Sequence, residues 1–160
     1  DGGAAGPASD RRLAEQLLTA SSKGLAELVR LLLGRGADVG HARGDGWTSL
    51  TAACSAGHAA AAGLLLDHGA CAEHVACDGF TPLLEACTSG HHEVVQLLLQ
   101  RRASVSLAAP DGNTPLILAG LHGHTSTVAL LLERRADTAS TGRGGLTALR
   151  AACSNGHAAA

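Results

Sequence analysis

The sequence predicts an all-α solenoid, in which helix–turn–helix units stack side by side and a protruding, β-hairpin-like loop joins each unit to the next. Three observations predict it. Asp45, Asp78 and Asp111, each followed by Gly, stand 33 residues apart. Thr48, Thr81, Thr114 and Thr147 keep that interval, as do Leu50, Leu83, Leu116 and Leu149, and the Gly-His pairs at 57–58, 90–91, 123–124 and 156–157. Within each period, two short apolar stretches are bounded by helix start and stop signals. A fixed period of roughly 20–50 residues means stacked supersecondary units, each touching only its neighbours, rather than one closed core.

The segment 78–110 shows the unit most completely. Thr81 suits a helix N-cap, and Pro82 then occupies the first helical position, where its missing N–H costs nothing. Leu83, Leu84, Ala86 and Cys87 carry a short inner helix that ends at Gly90, a residue at ease in the left-handed cap conformation. An outer helix follows from His92 to about Gln100, with Val94, Val95, Leu97, Leu98 and Leu99 apolar and Glu93 and Gln96 facing water. Arg101 and Arg102 complement the dipole at its C-terminus. An extended stretch then leads to the turn Pro110-Asp111-Gly112.

The other units vary this plan. Residues 1–10 are a Gly/Ala-rich stretch without periodicity, expected to be a linker. The first unit, 11–43, is irregular: Leu17, Gly24 and Leu31 to Leu33 are in register with Leu50, Gly57 and Leu64 to Leu66, but no Thr-Pro cap precedes them. It is expected to be the N-terminal cap of the array, with one side facing water. In the second unit, 44–77, the outer helix is Ala-rich and carries Gly63, which costs about 0.8–1 kcal/mol relative to Ala. That helix is expected to be the thinnest and among the most easily opened. In the third and fourth units, 78–110 and 111–143, Arg102 and Arg135 stand where Gly36 and Gly69 end the earlier outer helices. A side chain in a left-handed cap costs roughly 1 kcal/mol or more, so either the turn relaxes or something compensates. The fifth unit, 144–160, is incomplete, and its first helix would expose an apolar face; the sequence therefore reads as a piece of a longer chain, or as one whose continuation is disordered.

Composition narrows the function. Twelve Lys and Arg against fourteen Asp and Glu give a net charge of -2, which offers no electrostatic case for nucleic acid or an anionic membrane. No apolar run has the length of a membrane span. Five cysteines are present, and Cys54, Cys87 and Cys153 share one repeat position, which marks them as small residues of the inter-unit stack. Disulfides are not expected, and an intracellular, reducing compartment is.

With those residues in view, the chain resembles the ankyrin-repeat family over about residues 11–160. The family's Thr-Pro-Leu-His-x-Ala signature is matched by Thr81-Pro82-Leu83-Leu84-Glu85-Ala86 and Thr114-Pro115-Leu116-Ile117-Leu118-Ala119, and less fully at Thr48 and Thr147. Val94 to Leu99 and Val128 to Leu132 are family-like outer helices, and Gly36-Ala37-Asp38 is the family's ending. The signature His is replaced throughout, by Thr51, Leu84, Ile117 and Arg150, so the resemblance implies loops tied less firmly to their helices. It implies about 4.5 repeats of an ankyrin-repeat solenoid and a non-catalytic protein-binding function. In the family the partner lies against the loop tips and inner helices on the concave side. The matching positions are Trp47, Phe80, Asn113 and Leu146; Asp45, Asp78 and Asp111; and Ser55, Ala56, Thr88, Ser89, Leu121, His122, Ser154 and Asn155. Trp47 and Phe80, the two large aromatics of the chain, share one repeat position on neighbouring loops, where anchors are most useful.

Three chemical readings compete with this one, and each is set aside. His58, His91, His124 and His157 lie one unit apart, too far to share a ligand. His68, Cys71, His74 and Cys77 could supply two nitrogens and two sulfurs to zinc, but the repeat already explains their loop and no other copy has the set, so no metal or other cofactor is expected. The pairs Cys54/His58, Cys87/His91 and Cys153/His157 have helical spacing, yet a Gly interrupts each helix between the partners. No catalytic residues are assigned, and Glu85, Glu93 and Asp67 read as solvated surface. The Arg35, Arg101, Arg102, Arg134 and Arg135 ridge reads as dipole partners. The expected function is a non-catalytic interaction module or scaffold gripping another protein on its concave face. The alternatives are a structural subunit embedded in a large complex, or a targeting domain of a larger enzyme such as a kinase or ubiquitin ligase.

Overall fold

The computed structural model describes residues 7–154 and 156, with side chains from residue 10 onward. Nine α-helices are described: α1 Pro7–Ser22, α2 Ala26–Gly34, α3 Ser49–Ser55, α4 Ala59–Asp67, α5 Pro82–Ser89, α6 His92–Gln100, α7 Pro115–Leu121, α8 Thr125–Glu133 and α9 Ala148–Ser154. Inner helices α1, α3, α5, α7 and α9 pack in sequence against one another, and outer helices α2, α4, α6 and α8 do the same behind them. Helix α1 reaches back to Pro7, so residues 7–10 are helical rather than linker.

The caps form as their residues dictate. The Thr48, Thr81, Thr114 and Thr147 hydroxyls accept the backbone N–H groups of Thr51, Leu84, Ile117 and Arg150. Pro82 and Pro115 open their helices. Each outer helix ends in a paired backbone motif: Ala37 N–H donates to the Leu32 carbonyl and Gly36 N–H to that of Leu33, and the bonds recur after α4, α6 and α8. This motif requires a left-handed residue at positions 36, 69, 102 and 135. Arg102 and Arg135 adopt it, at φ of 66° and 60°. The turn does not relax around the larger side chain.

The core is a ladder of equivalent side chains. Leu17, Leu50, Leu83 and Leu116 on the inner helices are all buried, as are Val29, Ala62, Val95 and Val128, and Leu32, Leu65, Leu98 and Leu131, on the outer ones. Each rung touches the next, so one ribbon of contacts runs through the units. Cys54 and Cys87 lie inside it, whereas Cys153 is exposed. Helix α4 forms despite Gly63 and has the same nine residues as α6 and α8.

Between units the chain makes tight hairpin-like loops, with no β-strand among the described residues. Arg43 N–H donates to the Trp47 carbonyl, and Ala76 to Phe80, Ala109 to Asn113 and Gly142 to Leu146 repeat the bond, at 2.8–3.0 Å. Leu84 and Ile117, which replace the signature His, are buried. Leu84 packs with Ala109, Leu118 and Phe80, giving the loop an apolar anchor in place of the missing imidazole.

Candidate partner-binding face

The loop tips are built by the aspartates. Asp45 Oδ1 accepts the Trp47 N–H at 3.1 Å, Asp78 Oδ1 that of Phe80 at 2.9 Å, and Asp111 Oδ1 that of Asn113 at 3.0 Å. A short carboxylate side chain bonding the backbone two residues on is the device that sharpens a turn. The three aspartates thus have a structural duty, although all three are exposed at the loop tips. Asp45 is further engaged by the Arg43 guanidinium, whose hydrogen bond holds the carboxyl below its ordinary range.

The residue two places after each aspartate faces the inner helices. Trp47 is half-buried and lines a shallow concavity of about 250 Å³ with Leu18, Ser22, Arg43, Ala52, Ser55 and Ala56. Phe80 is half-buried and packs against the Leu84, Ala109 and Leu118 cluster. Leu146 is also half-buried. Asn113 differs: it is only 8% exposed, and its Nδ2 donates to Asp111 Oδ2 at 2.7 Å. Its side chain is drawn into the base of its own loop and offers little to an outside partner.

Along the inner-helix ends, Ala56, Ser89 and Ser154 are exposed, and Ser55, Thr88 and Leu121 are partly so. His122 is exposed and stacks on His124, with ring centroids 6.0 Å apart. Asn155 lies outside the described residues. Glu85, read from the sequence as scattered surface charge, is part of this face. Ser55 donates to Glu85 Oε2 at 3.1 Å across the seam between α3 and α5. Burial raises the Glu85 carboxyl above its ordinary value, the Ser55 bond partly offsets this, and the Asp78 charge adds to the rise. The signal was its place four residues after Thr81, on the face of the helix shared with Ala52 and Leu118.

The chemical alternatives have structural explanations. His91 Nε2 bonds the Ser55 carbonyl and His124 Nε2 that of Thr88, each at 3.0 Å, so these imidazoles join units. His74 Nε2 bonds the Gly46 carbonyl, and His68 Nδ1 that of Leu64. Among the described residues no three His, Cys, Asp or Glu side chains converge as metal ligands. Burial pushes the Cys54 and Cys87 thiols up, against the direction a nucleophile needs. In the arginine ridge, Arg101 reaches back one unit to Asp67 at 2.9 Å.

Paired helices stacked in register, with loop tips and inner-helix ends aligned along one side, define a helical-repeat scaffold. The family model for ankyrin repeats (3 copies) matches residues 17–109 and 103–160, and the chain belongs to that family. Ankyrin repeats are generally protein–protein interaction modules. No curated protein matches the chain.

Proposed function

We propose that this chain is a non-catalytic interaction module whose concave side grips one partner protein. The observation that carries the reading is the row at one repeat position, where Trp47 and Phe80 stand half-buried on adjacent loops and Leu146 does so beyond the loop of buried Asn113. Each is anchored at its base yet keeps an accessible edge, the arrangement that lets a large side chain contact a partner without first being ordered. Asp45, Asp78 and Asp111 at the tips, and His122 at an inner-helix end, surround that row with polar groups. Asn113 serves the site by shaping its loop, and Asn155 extends it by repeat position. Burial of Cys54 and Cys87 in the stack supports a reducing compartment.

The test is to identify a partner by proximity labelling, then measure its affinity for the wild type and for Trp47→Ala plus Phe80→Ala. Loss of more than about 2 kcal/mol, with the thermal transition retained, supports the reading. Unchanged affinity sinks it. A chain that resists purification without other subunits would favour a permanently embedded structural role.

A further inference from the structure

The side of α1 and α2 that faces away from the second unit carries a surface that the concave face does not use. On each later outer helix, the side facing the preceding unit is closed by that unit. Ala61, Val94 and Thr127 are fully buried there, Leu130 is 6% exposed, and Leu64 and Leu97 at the Leu130 position are partly buried. The equivalent residues of α2, one period earlier, are Leu28 and Leu31, with Leu25 at the position of His58, His91 and His124. Leu25, Leu28 and Leu31 are 48%, 42% and 48% exposed. The expected polar cap is therefore only half present, because α2 shows seam leucines to solvent.

The opposite wall explains what can cover them. A groove of about 550 Å³ separates the leucines from Arg12, Glu15, Gln16, Thr19 and Lys23 of α1, and Arg35 closes one end. Gln16 and Thr19 occupy the positions of Ser49 and Ala52, which are buried in the first internal seam. A further helix pair stacked in register would bury those larger polar side chains at a desolvation cost, the kind that raises the Glu85 carboxyl at the Thr19 position of the third unit. A single helix lying in the groove leaves them wet and still covers the leucines. Three cations and one carboxylate line the groove, and Glu15 is held by Arg11 at 3.2 Å. Arg12, Lys23 and Arg35 have no ion-pair partner among the described residues; the pairs present are Arg11–Glu15, Arg30–Glu27, Arg43–Asp45 and Arg101–Asp67.

We propose that this groove docks an amphipathic helix of a partner protein, with its apolar stripe on Leu25, Leu28 and Leu31 and its flanking carboxylates toward Arg12, Lys23 and Arg35. The interface continues the inter-unit seam by one helix. It is the helix-in-groove mode, read through anchors spaced one turn apart. The leucines span about 9 Å along α2, so two or three apolar residues of the incoming helix make the contact.

The test uses the 160-residue chain and two fluorescein-labelled model helices of about 18 residues, or five turns. Both carry the same leucine stripe, flanked by Glu in one and by Lys in the other. Fluorescence anisotropy at low salt should show saturable binding of the Glu-flanked helix, about tenfold tighter than the Lys-flanked one. Leu28→Glu should abolish binding, and Arg12→Glu with Lys23→Glu should invert the preference. Because Leu28 is partly exposed, the first variant should fold; if circular dichroism shows that it does not, the charge reversal decides. The proposal is overturned by no saturable binding, by equal affinity for the two helices, or by binding that neither variant alters. It is also overturned if sedimentation velocity shows self-association lost in Leu28→Glu, which would make a second copy the occupant. Trp47→Ala plus Phe80→Ala should leave this binding unchanged, which separates it from the concave site.

Discussion

The His91 ring sits over Gly57 of the preceding unit so closely that a Cβ added to Gly57 would lie 2.5 Å from Nδ1. From there Nε2 donates to the Ser55 carbonyl at 3.0 Å, which requires that this nitrogen carry the hydrogen. His124 repeats the arrangement over Gly90 with the Thr88 carbonyl, and the His58 ring lies over Gly24. The recurring Gly-His pair is thus one joint made from two units: Gly of one supplies the space, and His of the next supplies the bond.

That joint gives the first expectation. Gly57→Ala should destabilise the array by at least about 1–2 kcal/mol from the left-handed backbone alone, with more from displacing the ring. His91→Ala removes one inter-unit hydrogen bond and should cost about 0.5–1.5 kcal/mol, apart from any loss of packing. Urea unfolding of the two variants measures both. Equal, negligible losses would show that the ring does not couple the units.

Glu85 sets a pH dependence. Its carboxyl is raised in the fold chiefly by burial, with the Asp78 charge adding, so the folded chain holds this proton more tightly than the unfolded chain does. The cost of ionising Glu85 is absent below the unfolded carboxylate range and appears as pH rises through the elevated folded value. Glu85→Gln keeps an acceptor for Ser55 and removes the charge. Its melting temperature should exceed that of the wild type at pH 7, and the gap should close below about pH 4. A gap that widens toward acid would contradict this sign.

Arg102 holds φ of 66° where Gly36 and Gly69 stand in the earlier units. Arg102→Gly should relieve roughly 1 kcal/mol of backbone strain, offset in part by the greater freedom of Gly in the unfolded chain. A small rise in the denaturation midpoint is expected. A fall would mean that the Arg102 side chain makes a stabilising contact that outweighs the strain.

Thr127 is fully buried, and its hydroxyl has no hydrogen-bond partner among the described residues. Ala61 and Val94 fill the same position in the neighbouring units. Thr127→Val replaces the hydroxyl by a methyl group of similar size and should stabilise the chain by about 1–3 kcal/mol, the cost of an unsatisfied buried polar group. Chemical denaturation reads this directly. A loss would place a water or another acceptor on Oγ1.

Gly63 is the last case. A Cβ there would meet only Leu97 Cδ2 at 3.9 Å, an ordinary contact. Gly63→Ala should therefore recover about 0.8–1 kcal/mol of helix propensity. Hydrogen exchange should show slower amide opening across α4, and unchanged exchange would remove the idea that α4 is the weak helix.

What the sequence determined by itself was everything set by local chemistry repeated at a fixed interval. The Thr caps, the Pro at the first helical position, the left-handed helix endings at Gly36 and Gly69 and the leucine ladder each follow from a few adjacent residues, and repetition aligned them. Repetition also placed Trp47 and Phe80 on neighbouring loops. Tertiary structure decided what depends on distance across a seam. It drew Asn113 into its loop while leaving Trp47 and Phe80 half-open, and bonded Glu85 to Ser55 of another unit. It also set His91 on Gly57 and left Leu25, Leu28 and Leu31 uncovered. The physical reason is that burial belongs to neighbouring side chains in space: the same repeat position is core where another unit packs on it and surface where none does.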